Sequence, residues 1–203
     1  KEGKVQIATR YETSMSAPTK QIKLADPITY MKLHNEAVRT RNPLGIVPYS
    51  DTKIANTIAN TNPMVYPAND WYDLLFKDYT FNHRFNFSLS GGGKVARYYV
   101  SATFNQDNGV LKVNGRNNFN NNIDLKNYNV RSNININMTP TTEVILRVHG
   151  KFEEYTGPLD GGQAMYNKVM NTNPVMFPAV YNPDERNKFT KNILFGNAET
   201  GQY

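Results

Sequence analysis

WYDLLFKDYTFNHRFNFSLS, residues 71 to 90, followed by GGGK at 91 to 94 and RYYVSATFNQDNG at 97 to 109, decides how this chain folds. It reads as a short helix, a strictly alternating strand, a glycine turn, and a second strand closed by a second turn. Phe81, His83, Phe85, Phe87 and Leu89 share one parity; Asn82, Arg84, Asn86, Ser88 and Ser90 share the other. Successive strand side chains point to opposite faces, so this period of two describes a sheet with an oily side and a wet side. The oily side meets either a protein core or a lipid bilayer.

Four stretches besides residues 81 to 90 follow the same period. Val5 to Ser16 alternates Val5, Ile7, Thr9, Tyr11, Thr13 and Met15 against Gln6, Ala8, Arg10, Glu12 and Ser14. From about Val95 to Asn105, Val100, Ala102 and Phe104 oppose Arg97, Tyr99, Ser101 and Thr103. This strand has room to run on into VLKV, past the turn signal Asn108-Gly109 and up to a second one, Asn114-Gly115. Asn122 to Met138 sets Tyr128, Val130, Ile134, Ile136 and Met138 against Asn127, Asn129, Arg131, Asn133, Asn135 and Asn137. Thr142 to about Tyr155 sets Val144, Leu146, Val148 and Phe152 against Glu143, Arg147, His149, Lys151 and Glu153. The run to Met138 is about 17 residues long, against the five or six usual in globular sheets.

The connections differ by end. The second and third strands, and the fourth and fifth, are joined by about four residues each. Between the first and second lies an excursion of roughly 60 residues, far beyond hairpin length. Within it, Asp26 caps a helix with Pro27 at the first helical position, running to about Arg39, and RNPLG at 41 to 45 breaks it. Ser50 or Asp51 opens a second helix through Ile58, and Asn69 or Asp70 caps a short one holding Trp71, Leu74 and Leu75. A helix from about Gln163 to Asn171 follows GPLDGG, and a Pro-rich loop follows that. Tight turns on one end and long loops on the other characterise outer-membrane barrels. Phe81, Tyr98, Phe104 and Tyr128 near strand ends suit an interfacial girdle. On pattern alone, a transmembrane barrel and a soluble sandwich both remain open.

Composition narrows the function classes. Of 203 residues, 39% are hydrophobic, 20% charged and 12% aromatic, and 28 are Asn, a residue suited to turns and polar strand faces. The chain has no Cys and so no disulfide or thiolate metal site. No run of about 18 apolar residues provides a transmembrane helix, which leaves barrel strands possible. The net charge of +6 comes from singly scattered Lys and Arg, giving a solvated surface with no nucleic-acid patch. The first residues, KEGKVQIATRYETSMS, lack the zones of a signal peptide and read as the middle of a longer chain.

In order, the segments KEGKVQIATRYE, DPITYMKLHNEA, YPANDWYDLLFKDYTFNHRFNFSLSGGG, KVARYYVSATFNQDNGVLKV, NNFNNNIDLKNYNVRSNININMTPTTEV and GPLDGGQAMYNKVMNTNPVMFPAVY resemble the SusC-like (RagA-like) TonB-dependent transporters of Bacteroidota outer membranes. No single motif is decisive; the ordered series is. The resemblance implies an all-β fold, the N-terminal part of a transmembrane antiparallel β-barrel, with about five of some 22 strands and long, partly helical extracellular loops. Residues 1–16 would form the plug-to-barrel junction and first strand, 17–80 a long loop, 81–155 the second to fifth strands and 156–203 another long loop. It implies active nutrient uptake of glycans or oligopeptides across the cell outer membrane. The partners implied are a SusD-like surface lipoprotein, the TonB complex acting through parts absent from this chain, and outer-membrane lipid. The signal peptide, TonB box, plug and most of the barrel would lie outside these residues. An open arc of five strands, with two unpaired edges and an oily face, would aggregate or stay unfolded in water. The alternative is a soluble or secreted β-rich glycan-binding module.

Catalytic chemistry finds no constellation, and no cofactor or metal is implied. His34, His83 and His149 have no spacing of a metal site with one another or a carboxylate. Asp160-Gly161-Gly162 lacks the oxygens of a calcium loop and reads as a turn before a helix. Glu153 and Glu154 are adjacent in a strand and point to opposite faces. Gly91-Gly92-Gly93-Lys94 lacks phosphate-loop spacing and leads into a strand. The candidate substrate-contacting residues are Arg84, Arg97, Tyr99, Arg131 and Arg147 on the polar parity, with Asn86, Asn133 and His149 beside them, and Tyr66, Trp71 and Tyr72 in the first long loop. For the polar parity the plainer reading is mutual hydrogen bonding or contact with a plug; for Trp71 it is packing within its own loop.

Overall fold

Strict alternation and tight turns carry much of the chain into one antiparallel meander. A computed structural model describes residues 3–113, 120–191 and 193–201; the Asn114-Gly115 turn signal falls outside them. The elements are β1 (Gly3–Ser16), α1 (Pro27–Arg41), α2 (Asp51–Ile58), α3 (Trp71–Leu75), β2 (Thr80–Gly92), β3 (Ala96–Asn108), β4 (Asp124–Thr139), β5 (Thr142–Thr156), α4 (Gly161–Asn171), β6 (Val180–Tyr181) and β7 (Leu194–Phe195). Among the described residues they fall into two units. One holds the chain up to Thr19 with Lys77–Leu111 and Asn120–Leu159; the other holds Lys20–Phe76, the residues just after Leu111, and the chain from Asp160 on.

The first unit is a sheet in the order β1-β2-β3-β4-β5, every neighbouring pair antiparallel. Directly paired residues share a face, so the oily parities of all five strands meet. One row across the sheet is entirely aromatic: Tyr11, Phe85, Phe104, Tyr128 and Phe152. The row toward the long connections is polar: Thr13, His83, Gln106, Lys126 and Glu154. Toward the hairpins come Phe87, Ala102 and Val130, then Leu89, Val100 and Val148, then Tyr98, Ile134 and Leu146. No second sheet covers this face among the described residues: Phe85 is 37% exposed, Leu146 51%, Val148 53% and Phe152 68%. From Tyr128 to Met138, ten residues at about 3.4 Å each span about 34 Å. A tilt of about 40° reduces that to about 26 Å, the height of an outer-membrane apolar band.

Two details depart from the sequence reading. β2 runs two residues further, through Gly91 and Gly92, because neither carries a side chain. A Cβ at Gly91 would lie 2.8 Å from the Tyr98 hydroxyl; at Gly92, where φ is +144°, it would lie 2.6 Å from the Arg97 Cα. The Tyr98 ring therefore lies over bare backbone. β3 stops at Asn108 without continuing into VLKV. A Cβ at the next residue, Gly109, would lie 2.7 Å from the Asn122 side-chain oxygen, so the chain turns away through a close approach that only glycine permits.

The second unit is helical and polar-linked. Met31, Tyr49 and Val175 form its small core, with Ile28, Tyr30 and Ile54 packed around them. Asn35 is buried; its amide donates to the Tyr49 carbonyl at 2.6 Å and its side-chain oxygen accepts from the Tyr49 amide at 3.1 Å. The Pro-rich tail is more than a loop: β6 and β7 form a two-stranded ribbon, each strand too short for alternation to register.

The two faces of β4 respond differently to charge. Ile134→Arg is expected to lower the unfolding free energy of the full-length protein, refolded in bilayers, by about 2–4 kcal/mol. Asn133→Arg, one residue away, should change it little; equal costs would show that Ile134 does not face lipid.

Candidate functional site

The polar face of the sheet collects the cationic residues picked out by parity. Arg97 pairs with Glu143 at 3.2 Å, Asn135 donates to the same carboxylate oxygen at 2.8 Å, and Arg147 donates to the Asn135 side-chain oxygen at 3.0 Å. Arg97 and Arg147 are thus gathered into one network spanning β3 to β5. Tyr99 stands in a row with Asn133 and Arg147. Arg84 stands between Glu12 and Asn105, and Arg131 between Ser101 and His149. Both are exposed and, among the described residues, neither has a hydrogen-bond or ion-pair partner; the Glu12 carboxylate pairs instead with Arg10. In the row of Arg84 and Asn105, one strand beyond Asn105, the side-chain oxygen of Asn127 is buried without a donor among the described residues. The face therefore has both internally satisfied and unsatisfied groups.

Tyr66, Trp71 and Tyr72 belong to the helical unit. Trp71 is 8% exposed; its indole N–H donates to the Asn173 carbonyl at 3.1 Å, and its ring lies 5.0 Å from that of Phe177. Tyr72 packs against Phe76 at 5.0 Å, and Tyr66 is half-buried. The sequence reading placed Trp71 within its own loop, yet its polar partner, Asn173, lies about a hundred residues later. Lys53 donates to the Val175 carbonyl at 3.0 Å, and burial pushes its ammonium below the ordinary lysine value.

The same unit holds a cavity of about 240 Å³ that sequence reasoning did not single out. Three segments build its wall: Leu24 to Pro27 with Tyr30, Asn69 to Trp71, and Met170 to Thr172 with Pro174. The Asn69 amide holds the Phe177 carbonyl at 2.7 Å, and the Asn69 backbone N–H donates to the Pro174 carbonyl at 2.9 Å. Asp26 and Asp70 are the N-caps of α1 and α3, and each accepts backbone N–H bonds through one carboxylate oxygen. Hydrogen bonds from Thr29, side chain first and backbone second, hold the Asp26 carboxyl below the ordinary aspartate value. The capping pattern marked both residues, but only as helix starts. Among the described residues, no group of three or more His, Asp or Glu converges as a metal would require.

An uncovered oily face five strands wide, opposite a face of Arg and Asn, is the architecture of an outer-membrane barrel wall. The comparisons with known proteins agree with that class. No family model matches the chain. TonB-dependent receptor P26 of Formosa agariphila is 23% identical over 181 residues, covering 89% of this chain and 16% of that protein. A chain from the structure of the RagAB peptide transporter superposes with a TM-score of 0.57 at 14% identity, covering 94% of this chain and 23% of that one. The fold is thus similar to part of the RagA barrel, as the ordered motifs implied. This chain spans less than a quarter of the length of either relative. Both carry receptor or transporter names and neither an enzyme name.

The Asp26 cap has a defined pH dependence. The folded carboxyl keeps its charge more readily than the unfolded one. Its contribution is therefore complete above the unfolded value of about 3.9 and lost as pH falls through the lower folded value. Hydrogen exchange at the Ile28 and Thr29 amides, referenced to Asp26→Asn, should quicken over that window and not above it.

Proposed function

We propose that this chain is part of an outer-membrane, TonB-dependent active transporter that takes up glycans or oligopeptides together with a SusD-like surface lipoprotein. The observation carrying the proposal is the oily face, continuous over five strands of 13 to 16 residues and bounded by an aromatic row. A soluble protein with such a face exposed would aggregate. In this reading residues 1–16 lead from a plug into the first strand, and 81–155 supply four further barrel staves. Residues 17–80 and 156–203 are extracellular loops. The TonB complex acts through segments beyond these residues.

The polar face then lines the lumen. Arg84 and Arg131, without protein partners among the described residues, are the cations open to substrate or plug; Arg97 and Arg147, with Tyr99 beside them, are held in the wall network. Trp71 is buried in the loop unit, and Tyr66 and Tyr72, both half-buried, are the more accessible loop aromatics.

The full-length protein should require detergent for extraction, run faster on gels before boiling than after, and lose substrate uptake in cells lacking TonB. A protein that stays soluble without detergent and shows one gel mobility would overturn the reading. Arg84→Ala combined with Arg131→Ala should lower uptake several-fold with the heat-modifiable shift intact.

A further inference from the structure

We propose that the cavity beside Trp71 binds a lysine or arginine side chain, so that the oligopeptides taken up include basic ones; the transport part of this statement rests on the proposed function. The charge balance of the wall carries the argument. The Asn69 amide donates to the Phe177 carbonyl, the Asn171 amide to the Asn167 carbonyl, the Thr172 hydroxyl to the Lys168 carbonyl and the Trp71 indole to the Asn173 carbonyl. Each of these donor groups already has a backbone acceptor. The Asn69 and Asn171 amides each keep one further N–H, but the charge on the wall is all negative: the Asp26 carboxylate accepts from Ile28 and Thr29 and the Asp70 carboxylate from Asp73, neither carboxylate has an ion-pair partner among the described residues, and no Lys, Arg or His lines the cavity. A ligand that complements this wall must bring donors and positive charge.

Shape and lining select among cations. Leu24, Pro27, Tyr30, Trp71, Met170 and Pro174 supply apolar and aromatic wall, which suits the methylene stem of a long basic side chain better than a hydrated metal ion. Tyr30 and Trp71 also offer ring surface to an ammonium or guanidinium. About 240 Å³ accommodates one such side chain. A neutral sugar would leave both carboxylates without a counter-charge.

Isothermal titration of the full-length protein in detergent with Gly-Ala-Lys-Ala-Gly and its norleucine counterpart tests this, since the two peptides differ by one ammonium group. The lysine peptide should bind about tenfold or more tightly, as expected for a charge-assisted pair. Asp26→Asn with Asp70→Asn should bring it to the norleucine level. Asparagine still caps helices, so the heat-modifiable shift serves as the folding control. Equal affinities, no binding of either peptide, or a lysine preference that survives the double substitution would overturn the site. Uptake of the same peptides is read separately. Uptake without lysine preference overturns the cavity assignment alone; lysine-selective binding without uptake overturns the transporter reading alone.

Discussion

The sheet depends on a single constraint: residues paired across an antiparallel ladder share a face. Register therefore decides everything on this wall, because a slip of one residue would exchange the oily and polar sides. With Phe85 opposite Phe104, Phe104 opposite Tyr128 and Tyr128 opposite Phe152, the oily parities of neighbouring strands coincide. The same pairing brings Arg97, Asn135, Glu143 and Arg147 within hydrogen-bonding reach on the other side. One geometric rule thus produces a surface fit for hydrocarbon and a surface fit for water.

The helical unit is held on a different principle. Its apolar core is small, centred on Met31, Tyr49 and Val175. Side-chain hydrogen bonds to backbone do much of the positioning: Asn35 on Tyr49, Asn69 on Phe177, Trp71 on Asn173 and Lys53 on Val175. A buried amide bonded to backbone fixes both distance and direction, which dispersion contacts alone do not. Asn is frequent in this chain for two separate reasons: in β4 it makes a wet strand face, and in the loops it ties remote segments together. Two of the three wall segments of the cavity, Asn69 to Trp71 and the stretch up to Pro174, are tied to each other by such bonds.

Much of the fold was legible because its signals are local. Alternation marked five strands, and Asp26, Ser50 or Asp51, and Asn69 or Asp70 marked three helix starts; the structure shows Asp26, Ser50 and Asp70 as the side-chain caps. What was not legible depends on neighbours in space. The end of β2 was set by the need to clear Tyr98 over Gly91, and the end of β3 by the approach of Asn122 to Gly109. The aromatic row includes Tyr11, Phe85 and Phe152 because of pairing, whereas position within each strand had drawn attention to Phe81 and Tyr98. Phe81 in fact lies beyond the polar row that holds His83.

By itself, the sequence determined that strands would form, that each would have an oily and a polar side, and where helices would begin. Those properties follow from steric and hydrogen-bonding preferences acting over two to four residues. Only the tertiary structure decided which oily residues align into one row, which arginines are tied down and which stay open. It alone brought Asp26 and Asp70 to the rim of one cavity. These outcomes depend on side chains placed together by ladders and amide ties across many tens of residues, and no short-range pattern encodes such distances.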